Sequence, residues 1–249
     1  MMKPVKVEVC VENLTSARIA QESGADRIEL CSALSEGGAT PSAGLIRTVR
    51  NELHILMHVL VRPRRGNFLY NDDEFACMKE DVLTAKELGA DGVVIGLLTA
   101  DGEIDRVRTA ALITLARPMS VTIHRAFDSV KDPVAALETC IELGVDRILT
   151  SGQQQKAEAG IPLLRQLVAQ AGDRLTILPG SGMNAGNILR IIEETGASEV
   201  HLSAKERIAG KMTYRKDEVP LSNSLPLSEY EVEQTSPIQL RKAMQQIDR

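Results

Sequence analysis

The chain has 249 residues, 43% of them hydrophobic, 25% charged and only 2% aromatic, with three Phe, three Tyr and no Trp. That length buries one large core or two small ones, and the core must be almost wholly aliphatic. A formal charge of -5 offers no basic field for nucleic acid, and no apolar run approaches the roughly 20 residues of a membrane span, so neither is expected as a partner. Lys6 and Glu8 interrupt the N-terminus where a signal peptide needs an apolar core. Cys10, Cys31, Cys77 and Cys140 form no CxxC pair, which fits a reducing compartment, and a cytoplasmic protein is expected.

Short β-branched runs alternate with longer helical patterns along the chain, the sign of parallel βα units. Strands are expected at 5–11, 27–31, 56–61, 92–97, 121–124, 147–150, 175–178 and 199–203. Asn13, Ser42, Asp72, Asp105, Asp132 before Pro133, and Asn184 are expected helix N-caps, since their side chains can accept from first-turn amides. A repeat supports the count: Gly24-Ala-Asp-Arg, Gly89-Ala-Asp-Gly, Gly144-Val-Asp-Arg and Gly196-Ala-Ser-Glu each end a helix on Gly and launch a strand. The copies recur every second unit, marking the even strands of an eightfold series. Eight such units in one chain of this size predict a single-domain (β/α)8 barrel over 1–204. The polar stretch from Lys205 to Thr235 breaks the rhythm, and Ser236-Pro237 opens a short closing helix, so 205–249 is expected as an irregular extension completing the same domain.

Strand parity then sorts the side chains. Val5, Val7, Val9 and Val11 share one face of the first strand, leaving Lys6, Glu8 and Cys10 on the other. The same split sets Ile28 and Leu30 against Arg27, Glu29 and Cys31, Val121 and Ile123 against Thr122 and His124, and Val200 and Leu202 against Glu199, His201 and Ser203. In the third strand His58 shares parity with Leu60 and Arg62. The apolar parity must meet the helices, so the polar parity lines the barrel. Two readings of those inward charges are open: a self-satisfied ion-pair network, expected for Lys6, Arg27 and Glu199 near the strand starts, or a functional site, expected for Glu29, Cys31, His124 and His201 near the strand ends.

Three loops add to that end. Arg62-Pro-Arg-Arg-Gly follows the third strand, His124-Arg125-Ala126-Phe127-Asp128 ends the fifth, and Gly180-Ser-Gly182-Met-Asn follows the seventh, the usual barrel position for an anion. Phe68, Tyr70, Phe75 and Phe127 fall in or just after the first two of these loops, and Tyr214 and Tyr230 lie in the tail, so the few large rings are expected to wall the pocket or a dimer contact. Cys77 and Cys140 fall in helical patterns and read as buried small apolar residues.

The runs Arg27-Ile-Glu-Leu-Cys-Ser-Ala-Leu-Ser-Glu-Gly-Gly, His58-Val-Leu-Val-Arg-Pro-Arg-Arg-Gly, His124-Arg-Ala-Phe-Asp, Arg147-Ile-Leu-Thr-Ser-Gly-Gln and Glu199-Val-His-Leu-Ser-Ala resemble, in order, the CutC family of copper-homeostasis proteins. The resemblance covers about residues 5 to 204. It implies a TIM barrel, a cytoplasmic protein, often a homodimer, and the handling of copper(I). Cys10 and Cys31 match family cysteines and share inward parity on adjacent strands, where two soft sulfurs could meet one copper(I); as buried apolar residues they would need no metal.

Three functions stay open on these residues. One is a copper(I)-binding homeostasis protein using Cys10 and Cys31. The second is an enzyme of isomerase, epimerase or lyase type on a small anionic or phosphorylated metabolite. In it His124 would be the general acid or base, Glu29 or Glu8 its partner and His201 a second proton donor, with Arg62, Arg125, Asp128, Ser203 and the Gly180 and Gly182 amides binding the anion. The third is a scaffold acting through a dimer interface.

Overall fold

The structure, a computed structural model, describes residues 5–216, 218 and 228–247. Eight parallel strands alternate with helices: β1 (Lys6–Val11), α1 (Leu14–Glu22), β2 (Arg27–Leu30), α2 (Ala43–Glu52), β3 (Leu56–Leu60), α3 (Asp72–Glu87), β4 (Gly92–Ile95) and α4 (Arg106–Ala116) form the first half. The second half runs β5 (Ser120–Ile123), α5 (Pro133–Glu142), β6 (Arg147–Thr150), α6 (Ile161–Ala171), β7 (Thr176–Pro179), α7 (Ile188–Thr195) and β8 (Glu199–Leu202). The ladder order β7-β6-β5-β4-β3-β2-β1-β8 makes a nearly closed TIM barrel, in which β7 and β8 pack side by side without ladder bonds among the described residues. No helix among the described residues is long and apolar enough to cross a membrane.

The repeated Gly-X-Asp phrase is a stitch in this barrel. Gly24, Gly89, Gly144 and Gly196 sit at φ of +83, +80, +76 and +75°, the left-handed position that ends a helix at least cost without a Cβ. Two residues later Asp26, Asp91 and Asp146 accept the amides of Val7, Met57 and Val121 at 2.7, 2.8 and 2.7 Å. The same three aspartates donate their own N–H to the carbonyls of those residues. Each even strand is thereby tied to the odd strand before it. In the fourth copy Ser198 replaces Asp, and its backbone carbonyl takes the Lys6 amide instead.

The barrel wall separates two apolar regions. Val7, Val9, Ile28, Leu30, Met57, Val59, Val93, Ile95, Val121, Ile123 and Val200 face the helices and form the main core. Burying such side chains contributes about 1.5–3 kcal/mol each. Among the described residues a second, small cluster of Cys10, Cys31, Leu60 and Val94 lies inside the barrel, with Leu34 against it. The core is aliphatic with two exceptions, Phe127 (0% exposed) and Tyr70 (4%), which are buried rather than arranged around the mouth.

The caps follow expectation at Asn13, Ser42, Asp105 and Asp132, whose side chains accept first-turn amides. Two shift. Asn71, not Asp72, caps α3, because its side chain pairs with Glu74 in a reciprocal box, and α7 begins at Ile188 behind Asn187 rather than at Asn184. Cys140 is buried in α5 as expected, whereas Cys77 is exposed on α3.

The stretch after β8 is more regular than its composition implies. β9 (Lys205–Ala209) and β10 (Glu231–Thr235) pair antiparallel before α8 (Pro237–Gln245) closes the cycle against α1. The hairpin base is held there by Thr235 N–H donating to Ser16 Oγ at 2.9 Å and by the Lys205–Glu233 ion pair at 2.8 Å.

Replacing Asp26 with Ala orphans the Val7 amide, so unfolding in urea should show a loss of about 1–3 kcal/mol. Asp26→Asn keeps an acceptor oxygen and should lose less. An Asp26→Ala variant as stable as the wild type would show that the stitch contributes nothing.

Candidate functional site

The parity argument places the polar side chains inside, and the register decides which of them meet. Glu8 on β1 lies opposite Arg27 on β2 and opposite His201 on β8. Its carboxylate therefore takes Arg27 Nε at 2.5 Å on one oxygen and His201 Nδ1 at 2.7 Å on the other. Arg27 Nη2 also reaches Glu199 at 2.8 Å, and Glu199 takes Arg147 Nε at 2.9 Å, while Arg147 ends on Ser120 Oγ at 2.6 Å. This is the self-satisfied network expected for Arg27 and Glu199. Lys6 is not in it; its side chain is exposed at the barrel foot.

Protonation follows from this wiring. Burial raises the Glu8 pKa, but the His201 hydrogen bond and the Arg27 charge outweigh it and hold the carboxyl well below the usual range. For His201, burial pulls downward, while its bonds to Cys10 and Glu8 and the nearby Glu29 charge carry it well above 6.5. Burial raises Glu29, only partly offset by the His201 charge, and its contact with His201 Nε2 is 3.8 Å, longer than a hydrogen bond. Burial pulls His58 down to about 4 and His124 to about 3, with the Arg62 charge adding to the second.

Glycines make room for the inward rings. A Cβ at Gly92 would stand 2.5 Å from the His58 ring, one at Gly96 would collide with the His124 ring, and one at Gly180 would come 3.3 Å from His201. Glycine at a strand position signals close approach by another group. Gly92 and Gly96 carried that signal in the sequence.

At the C-terminal mouth a cavity of about 590 Å³ opens above this network. Glu29, His201, His124, Cys10, Arg62, Arg125, Asp128, Gly182 and Ser203 all line it, which brings together most of the residues the sequence singled out. Glu8, 1% exposed, and Gly180 are not on its wall, and the Gly180 amide is already bonded to the Thr150 carbonyl. Cys31 is fully buried just behind Cys10. Of the aromatic residues expected around the mouth, only Phe68 lines it. Ser181 and Met183, inside the glycine-containing loop after β7, and Lys205 just past β8 also line the wall, though none of the three has a role assigned from the sequence.

Two expected anion contacts are engaged within the protein. Asp128 accepts from Thr150 Oγ1 at 2.5 Å, from the amides of Ser151 and Gln153 at 3.0 and 3.1 Å, and from Arg125 Nε at 2.7 Å, tying the loop after β5 to the loop after β6. Arg62 directs its terminal nitrogens at the carbonyls of Glu36, Gly38 and Gly66. Both charges are thus positioned by the scaffold.

The sulfurs form the third feature. Cys10 Sγ lies 3.5 Å from Cys31 Sγ, and Cys31 donates to the Val11 carbonyl at 3.3 Å. The Cys31 bond and burial push the Cys10 thiol well above its usual range. For Cys31 the bond to Cys10 lowers, but burial and the Glu29 charge prevail and raise it. One ligand atom each from Cys10, Glu29 and His201 falls within 4.8 Å of the others.

Residues 5–206 match the CutC family. The chain belongs to that family. It is 47% identical over 235 residues to a copper homeostasis protein cutC homolog of Homo sapiens, covering 94% of this chain and 86% of the relative. It is 49% identical over 231 residues to a family protein CutC of Bacteroides thetaiotaomicron, covering 92% and 93%. The crystal structure of the putative copper homeostasis protein CutC from Streptococcus agalactiae superposes with a TM-score of 0.76 at 36% identity, covering 79% of this chain and 97% of that one. The family match ends at the start of β9, so it spans the barrel, while the alignment to the human relative covers 94% of the chain.

The buried imidazoles set an acid limb. Unfolded, His58 and His124 protonate near 6.5; folded, they do so only near 4 and 3. The unfolded chain therefore binds more protons below about pH 6.5, and stability falls as pH falls toward those folded values. His58→Gln should remove about 2–3 kcal/mol of that loss between pH 6.5 and 4 in urea unfolding. An unchanged limb would contradict the assignment.

Proposed function

We propose that the protein captures copper(I) as cargo at the floor of the barrel mouth, in a reducing compartment such as the cytosol. The observation that carries this reading is the 3.5 Å approach of Cys10 and Cys31 on neighbouring strands, in a chain whose relatives are named for copper homeostasis. Two thiolates match the preference of copper(I) for soft donors. His201 supplies a third donor through Nε2 once that nitrogen gives up its proton, and its Nδ1 bond to Glu8 is the carboxylate–imidazole arrangement that orients metal-binding histidines. Glu29 is a hard donor and serves this metal poorly, so its role here is charge balance. Both thiols and the His201 imidazole are protonated at neutral pH, so loading releases protons and copper affinity rises with pH.

A second reading is favoured by the cavity. At about 590 Å³ it falls within the ~300–1,000 Å³ range of small-molecule sites and far exceeds what one ion occupies. It supports an enzyme acting on a small anionic or phosphorylated substrate, with Glu29 as acid or base, the His201 imidazolium as proton donor, and Arg62 and Arg125 attracting the anion.

Anaerobic titration against a chromogenic copper(I) competitor tests the first reading. The wild type should bind one copper(I) per chain, with affinity rising by about one to three orders of magnitude per pH unit as one to three protons leave Cys10, Cys31 and His201. Cys31→Ser should weaken binding by at least about a hundredfold. Equal affinity in both proteins would remove the cysteine site.

A further inference from the structure

Two side chains in the mouth, Arg62 at Nε and His124 at Nε2, have a bonding capacity left unused among the described residues, and His124 is the one whose orientation is fixed by its own turn. His124 follows β5 and begins the turn Arg125–Ser129. Its Nδ1 accepts the Ala126 N–H at 3.0 Å, which places the proton of the neutral ring on Nε2. That nitrogen is buried and has no acceptor among the described residues, although the side chain is 5% exposed and lines the cavity. Native proteins rarely leave a buried N–H in this state, and one that faces a cavity calls for a partner such as a water, an ion or a ligand group.

The surroundings hold the ring in that orientation. It packs on Gly96 on one side and on Phe68 on another, with ring centroids 5.1 Å apart. The Arg62 guanidinium stands 5.5 Å from the centroid of the same Phe68 ring. Arg125 is fixed nearby by Asp128, Ser151 and Ser181. Of the cations on the cavity wall, Arg125, Lys205 and His201 already face Asp128, Glu233 and Glu8, whereas Arg62 meets only backbone carbonyls and has no carboxylate partner among the described residues. The unmet need is therefore for an acceptor, and the field favours a negative one.

We propose that the mouth binds the oxyanion end of a small metabolite, a carboxylate or a phosphate, with His124 Nε2–H donating to one of its oxygens. This inference rests on the small-molecule reading of the cavity and names its ligand chemistry and orienting residue. In this inference His124 serves as a fixed neutral donor rather than as the general acid or base considered from the sequence, because its Nδ1 lone pair is taken by the Ala126 N–H and burial keeps its ring uncharged down to about pH 3. The oxyanion lies beside Phe68, and the remainder of the ligand reaches toward Glu29 and His201, across the apolar wall of Leu149 and Met183.

The test uses metal-free full-length protein, with malonate, inorganic phosphate and uncharged glycerol as probes, read by calorimetry and by the ¹H–¹⁵N signals of the histidine rings. Malonate or phosphate should shift the His124 Nε2–H signal while glycerol leaves it in place; whichever anion acts identifies carboxylate or phosphate chemistry. His124→Asn retains a side chain that can cap the turn but has no donor at the depth of Nε2. It should bind the active anion at least tenfold more weakly while melting within a few degrees of wild type. The wild-type ring signal reads the contact even if that variant fails to fold. An anion that binds both proteins equally, or binds without moving the His124 signal, overturns the inference and leaves the cavity reading standing. Failure of both anions to bind the wild type overturns the cavity reading for anionic ligands, and the inference with it.

Discussion

Burying the Arg27 guanidinium inside the barrel is the constraint around which the interior is organised. At 2% exposure it requires carboxylate partners, since an unpaired charge at such a site costs several kcal/mol. Glu8 and Glu199 provide them from the neighbouring strand and from β8 across it. Once Glu8 is held by Arg27, its second oxygen is free to fix His201, and His201 projects into the mouth as a cation. The network at the barrel foot thus determines the charge at the barrel mouth. Removing one member should be far more damaging than its surface exposure implies.

That mouth joins two chemistries over a few ångströms. Cys10 belongs both to the thiol pair and to the cavity wall, and His201 touches Glu8 below and approaches Glu29 above. A soft ion would sit at the floor, beside the sulfurs. A small oxyanion would sit higher, at Phe68 and His124. The two occupants share His201 and Glu29 but differ in their need for Cys31 and His124, which is why they can be tested apart.

The sequence made the barrel legible because period-two alternation is dictated by strand geometry. Val7, Val9, Ile28 and Val121 could face only the helices, and their neighbours Glu8, Arg27, Glu29 and His201 only the interior. The Gly-X-Asp repeat announced the even strands, although the carboxylate stitch through Asp26, Asp91 and Asp146 needs the register before it can be seen. Parity does not reveal the path of a loop. Phe127 and Tyr70 looked like pocket walls because they sit near the ends of strands, yet their chains turn inward to the core. The hairpin of β9 and β10 was hidden because polar strands on a solvated arm carry no hydrophobic period. Asp128 and Arg62 were recognised as charges near the site, but their internal partners, Ser151 and the Gly38 carbonyl, come from other loops.

The dependence of the mouth on the foot is tested most directly by the imidazole signals of His201 across pH in the wild type and in Glu8→Gln. In the wild type the ring should stay protonated well above pH 6.5, because Glu8 stabilises its charge. In Glu8→Gln that stabilisation is lost, and the titration should move down by at least one pH unit. A wild-type His201 that titrates at or below 6.5, or a midpoint unmoved by the substitution, would contradict the account.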